Sequence, residues 1–274
     1  MSKVLRWTPV AAALVLLAST AGAQGGKPLA KCPVDAVVSG TVCMDKYEAS
    51  VWRVPNPTTT NKSLVKKIQQ GKATAANLAA GGAVQLGVGS DNYAPCANSG
   101  QNCSDDIYAV SLPGVPPSAN VTWFQAQAAC KNARKRLPSN AEWQAAVIGT
   151  PDPGPDNGTT DCNTNSAFAA VSTGSRSSCK SVDGAFDMVG NLYEWVADWV
   201  PRSTACGTWS GGVSPTGDDQ CLAGAATTGE PGALLRGGYF LGGFVGGTGA
   251  GPLSVFGGSG PSSSGGLFGF RCAR

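Results

Sequence analysis

Histidine is absent from all 274 residues, which excludes a Ser-His-Asp triad, a histidine-ligated zinc site and a histidine general base. Charge is scarce as well. Only 14% of residues are Asp, Glu, Lys or Arg, and the formal net charge is +3 with no basic block, so a nucleic-acid-binding surface is not expected. The apolar run from Val10 to Ala18 is too short for a comfortable membrane span. The cysteines lack the tight paired spacings of iron–sulfur or zinc-thiolate sites. There is no tandem repeat, and no strand–helix alternation that would point to a parallel sheet with crossovers.

What is present is glycine (38), proline (18) and cysteine (10). Lys3 and Arg6, the apolar run and the small residues Ala21-Gly22-Ala23 form the three parts of a secretory signal peptide over residues 1–23, with Gln24 as the mature start. No cysteine directly follows the run, so a lipoprotein anchor is not expected, and the product is placed outside the cytoplasm: secreted, periplasmic or cell-surface associated. An even number of cysteines in an exported chain favours full pairing. Local spacing suggests Cys32–Cys43, Cys96–Cys103, Cys162–Cys179 and Cys206–Cys221, which leaves Cys130–Cys272 as the one long-range closure.

Residues 24–41 read as a leader and first disulfide loop, and Val42 to Ser50 as an early strand. Residues 56–89 read as a polar, small-residue insertion with a helical stretch near Ser63–Gln70, and Asp91–Asp106 as a loop. A first helix begins at the capping residue Thr122, with Phe124, Ala128, Ala129 and Cys130 as its apolar stripe and Arg134, Lys135 and Arg136 as a basic end that suits the helix dipole. A second begins at Ser139, where Glu142 completes a capping box and Trp143, Ala146 and Val147 face inward. Gly149 to Thr164 is too rich in Pro, Gly, Asp and Asn for an element. The fold class expected is a single α+β domain with many short strands.

Four stretches, in order, carry a resemblance: VTWFQAQAACKNARKRLPSNAEW from Val121, DMVGNLYEWVADW from Asp187, LRGG from Leu235 and GFRCAR from Gly269. Together they resemble the formylglycine-generating, sulfatase-modifying family, which implies a C-type-lectin-like fold over residues 42–274. The enzymes of that family use a copper-binding cysteine pair shortly after the glycine pair. Here those positions are Gly242 and Gly247, which offer neither thiolate nor any other ligand side chain, so no formylglycine generation and no copper are expected. Members with iron-dependent or sulfur-transfer chemistry use histidines, which this chain lacks. The resemblance also implies a structural calcium ion held by the side chains of Asp187 and Glu194 and the carbonyls of Gly190 and Leu192, a donor set that suits a hard cation. Without the resemblance, these carboxylates read as ordinary turn and surface groups.

Between Tyr239 and Leu267 the chain is almost uncharged and sets aromatic residues among glycines and serines. Such a segment cannot form its own core, but it can lie over a fixed scaffold and present side chains to a ligand. Tyr239, Phe240, Gly242, Gly243, Phe244 and Phe256 are the candidate binding residues. The segment 236–274 also resembles the variable region of proteins diversified by retroelements. It has no asparagine and is crowded with Gly, Ser, Phe, Leu and Val, the residues reached when an AAC codon is altered at its adenines. The function expected is an exported, non-catalytic binding protein for an extracellular or surface protein. A glycan is the less favoured ligand, because the EPN and QPD sugar-binding loops are missing. Two alternatives stand beside it: a structural envelope protein, and a secreted oxidoreductase with a non-standard site drawn from Asp45, Glu48, Glu142, Asp187, Glu194 and Asp198.

Overall fold

Two short antiparallel strands, β1 (Ala36–Ser39) and β2 (Val42–Asp45), turn through Gly40 at φ 58, a left-handed conformation open to glycine. The computed structural model describes residues 31–103, 106–209, 213–214, 217–241 and 248–274. The expected signal peptide and Gly242, Gly243, Phe244 and Gly247 lie outside the described residues. Val42–Ser50 is not one strand. The chain leaves β2 at Asp45 and starts again as β3 (Ala49–Arg53). A continuous strand would point Asp45 and Glu48 to opposite faces, whereas both are fully buried, and the bend between them makes that possible.

Residues 56–89 are more structured than their composition implied. They form α1 (Lys62–Gln69), α2 (Ala75–Ala80) and β4 (Val84–Leu86). Leu64 and Ile68, four apart on one face of α1, enter a cluster with Leu78, Tyr108 and Val110, while the lysines of α1 stay outside. β4 pairs with β3, which also pairs with β5 (Ile107–Ser111), so the stretch supplies the edge of a three-stranded antiparallel sheet.

Thr122 caps α3 (Trp123–Asn132) as expected, with Gln125 completing a capping box there, and the expected box of Ser139 with Glu142 forms at α4 (Asn140–Ala146). α3 ends before its basic run. Arg134 takes a left-handed φ of 56, and Lys135 turns into the interior. The face α3 buries is Gln125, Ala126, Ala129 and Cys130, so Phe124 and Ala128 are half-buried flanks of the stripe.

The second half builds a mixed six-stranded sheet from β6 (Tyr193–Val200), β7 (Ser203–Thr208), β8 (Asp219–Ala225), β9 (Gly232–Arg236), β10 (Val255–Phe256) and β11 (Phe268–Phe270). Its order is β11-β6-β9-β10-β8-β7. Residues of α3, β3, β5, β6 and β9 share one core around Trp195 and Phe270, and α4 packs Trp143 into a second with Met188 and Val196.

Every cysteine is bridged: Cys32–Cys43, Cys96–Cys103, Cys130–Cys272, Cys162–Cys179 and Cys206–Cys221, the five pairs that the spacing suggested. The C-terminus closes on the first hairpin, where Cys43 and Arg274 exchange backbone hydrogen bonds of 3.0 and 2.9 Å. Beneath this closure the buried Lys135 ammonium donates to Asp35 at 2.8 Å and to Asp45 at 2.6 Å. Arg274 reaches the other Asp35 oxygen at 3.0 Å.

Candidate functional site

The turn that leads into β6 depends on three left-handed residues, Asp187 (φ 57), Gly190 (φ 72) and Asn191 (φ 57). Gly190 must be glycine, because a Cβ there would lie 2.3 Å from the Asn163 carbonyl oxygen. Asn191 tolerates the conformation and is held by its side chain, which donates to Glu48 at 2.5 Å and accepts from the Val171 N–H at 2.8 Å. The other Glu48 oxygen accepts from the Leu192 N–H at 3.0 Å.

Arg271 forms the centre of this region. Its Nε donates to both oxygens of Glu194, at 2.9 and 2.7 Å, and its Nη2 donates to Oε1 at 2.5 Å. Trp143 Nε1 adds a fourth bond to the same carboxylate at 2.7 Å. The guanidinium also donates to the carbonyls of Asp45 (3.1 Å) and Phe186 (2.8 Å). Three buried carboxylates, Glu48, Asp187 and Glu194, therefore crowd around Arg271, with the buried Arg176 a second cation acting on Asp187. Burial raises the Asp187 carboxyl to about 7, against the pull of the Gly174 N–H and Arg271. Burial, with Asp187 and Glu194 nearby, lifts Glu48 well above the usual carboxylate range.

This geometry bears on the calcium ligands expected at Asp187, Gly190, Leu192 and Glu194. Both Glu194 oxygens already accept from Arg271 and Trp143, and a divalent cation bound to them would stand against the guanidinium. The residues as arranged do not fit calcium at that position, because Arg271 already provides the positive charge. Of the six acidic candidates, Glu48, Asp187 and Glu194 gather around Arg271, and the other three lie apart from them. Glu142 pairs with Arg136 at 2.6 and 2.7 Å, Asp198 accepts from the Asn140 N–H at 2.6 Å, and Asp45 holds Lys135.

The LRGG turn ends β9 and launches the C-terminal segment. Gly237 (φ 86) packs so closely that a Cβ would meet the Met188 carbonyl oxygen at 2.7 Å. Arg236 lies over the Trp143 ring, 4.7 Å from its centroid, and donates to the Ser254 carbonyl at 2.8 Å and to the Gln144 side chain, tying together the two arms of the segment. Burial draws its guanidinium down to about 10. On this frame Tyr239 is half-buried, 5.2 Å from Tyr193 and edge-on to Phe240, and Phe256 flanks the same Tyr193 at 6.0 Å.

Phe240 differs from expectation. It is only 9% exposed and packs with Ala119 and Leu192, since the tight turn through Gly237 and Gly238 directs it inward. Its remaining surface helps line a groove of about 310 Å³ bounded by 87–89, Pro116, Pro117, Asn120 and 168–170. On the rim stands Phe168, 71% exposed at a left-handed φ of 52, a rare state for an aromatic residue. Val88, on a separate loop, is exposed nearby. Sequence reasoning missed Phe168. Its signal was a lone aromatic inside the polar stretch NTNSAFAAVS.

A family model described as the sulfatase-modifying factor enzyme 1-like domain matches residues 59–274. Among curated proteins, the serine/threonine-protein kinase Pkn1 of Chlamydia trachomatis serovar L2 is 36% identical over 89 residues, covering 30% of this chain and 14% of that protein. The kinase pkn1 of Chlamydia caviae is 35% identical over 85 residues with the same coverage, 30% and 14%. The chain thus spans only a small part of the curated relatives it matches. Among solved structures, the Major Tropism Determinant I1 variant is similar at 17% identity and a TM-score of 0.47, covering 90% of this chain and 54% of that one. Treponema denticola variable protein 1 is similar at 19% identity and a TM-score of 0.38, covering 58% and 71%.

Proposed function

Because this chain belongs to the sulfatase-modifying factor enzyme 1-like family, with its α+β C-type-lectin-like fold, yet holds every cysteine in a disulfide, we propose that it is an exported, non-catalytic binding protein. Its ligand is a protein that docks on the face built from Tyr239, Phe256 and the groove beneath Phe168. The observation that carries this reading is the groove itself. It is an apolar cleft with an exposed aromatic on its rim, beside a segment whose composition suits ligand contact. Asn120 is the one polar side chain in its lining, which favours an aliphatic or aromatic side chain of a partner over sugar hydroxyls. Diversification of 236–274 follows from the same reading. A template repeat near the gene, differing from it mainly at adenines, supports that part, and its absence removes it.

The direct test compares capture of surface proteins from neighbouring cells by wild type and Phe168→Asp, with cross-links mapped onto the chain. Phe168→Asp is expected to weaken capture about tenfold or more, with cross-links at 168–170 and 239–256. Equal capture by both proteins, or cross-links confined to the opposite face, overturns the proposal. Stoichiometric copper on purified protein reopens the oxidase alternative.

A further inference from the structure

The largest of the cavities described lies away from that groove. It has a volume of about 490 Å³ and sits where α2 and the 71–75 turn meet the start of the domain and the end of β5. Its lining is mostly apolar, with Ala73, Leu112 and Pro113 among the residues, and Tyr47 forms one wall. That wall is built with little freedom. The Tyr47 ring stacks on Phe186 at 5.3 Å with 19° between planes. On the Gly174 side there is no room for a Cβ, which would lie 2.6 Å from the Tyr47 ring. The Tyr47 backbone N–H donates to Ser111 Oγ at 3.0 Å. A cleft of this size, largely pre-formed and apolar with a few polar groups, is what small-molecule sites have in common.

The charge at the cavity has one sign. Lys46 and Lys72 line it, and neither has a carboxylate partner among the ion pairs of the described residues. The Lys46 ammonium is poised over Tyr47 and Phe186, 5.6 and 5.8 Å from the ring centroids, and Lys180 lies 5.7 Å from Phe186. The acid in the lining, Asp35, is already neutralised by Lys135 and Arg274. We infer that this cavity is a binding site for a small organic anion with an apolar body, its carboxylate or sulfonate at Lys46 and Lys72 and its hydrocarbon against Tyr47, Leu112 and Pro113. Neither the proposed protein-binding face nor the family's cysteine chemistry uses these residues.

The probe is 8-anilinonaphthalene-1-sulfonate, with the uncharged N-phenyl-1-naphthylamine as its control, titrated onto the folded, disulfide-intact protein. The anionic probe is expected to bind at one site with a Kd on the order of 10 µM. Lys46→Gln with Lys72→Gln should weaken it about tenfold while moving the neutral probe less than about twofold. Lys72→Gln alone, at an exposed position, should give part of the loss without disturbing the Tyr47 wall. Ala75→Trp, which fills the cavity from its exposed edge, should abolish binding of both probes, and Phe168→Asp should change neither. Absence of binding, or binding that survives Ala75→Trp, overturns the site. Binding lost in Ala75→Trp but indifferent to both lysines overturns its assignment to anions.

Discussion

At the scale of single residues, the main fact is that three buried carboxylates crowd around Arg271, with Arg176 acting on Asp187 as well. Burial raises the Asp187 carboxyl to about 7 and lifts Glu48 well above the usual carboxylate range. The sign of the pH dependence follows. Unfolded Asp187 ionises near 3.8 and folded Asp187 near 7, so the folded state holds an extra proton between those values and stability falls as pH rises across that window. Above it the slope from this group ends. Asp187→Asn keeps an acceptor for the Gly174 N–H and removes the charge, so it should flatten this part of the curve and be the more stable protein at pH 8 by about 1–3 kcal/mol, read from urea melts at several pH values. Because Arg271 already occupies Glu194, millimolar calcium or a chelator should move Tm by less than about 1 °C. A calcium-dependent rise of several degrees would show Glu194 leaving Arg271 for the ion. That Asp187 and Glu194 matter was legible only through the family resemblance. Their use was not, because the partner that decides it is 77 residues from Glu194 along the chain.

At the scale of elements, the legible features were those whose determinants are local. Ser139 and Glu142 sit three apart, and both bonds of the capping box form; Thr122 announces α3 in the same way. Within residues 56–89 the helical stretch near Ser63–Gln70 was legible and forms α1, whereas α2 and β4 were not, because their order comes from tertiary partners: a strand of three residues finds β3, and α2 packs Leu78 with Tyr108 and Val110. Lys135 shows the same limit. As part of a basic run it read as a helix end that suits the dipole, but two aspartates from the first hairpin draw it inside, where it joins the end of α3 to β2. Removing it leaves two buried carboxylates without their cation. Lys135→Ala should cost about 3–5 kcal/mol in equilibrium unfolding, against about 1 kcal/mol for an exposed lysine such as Lys66. A loss near the smaller figure would show that water replaces the ammonium. Phe240 belongs here too, since its inward direction follows from the backbone of the Gly237–Gly238 turn rather than from its own chemistry.

At the scale of the whole molecule, stability is divided between apolar cores and covalent closure. Four bridges span short loops, and Cys130–Cys272 alone encloses most of the domain, with a sequence separation of 142. Replacing both of its cysteines by alanine should lower stability by about 4–5 kcal/mol, more than the loss of Cys96–Cys103, with Tm compared across the single-bridge deletions. No helix among the described residues is long and apolar enough to cross a membrane.

The reciprocal bonds between Cys43 and Arg274 have a consequence for how the molecule is carried. Cys32 is bridged to Cys43, with their Cα atoms 5.5 Å apart, so the first described residues and the last leave from one small patch, about 11 Å across. A tether added at either end grips the domain at the same pole. Two such domains joined through these residues would each pivot about that single point, and a linker of a few residues from Arg274 to Cys32 would close the described domain into a ring without disturbing a strand.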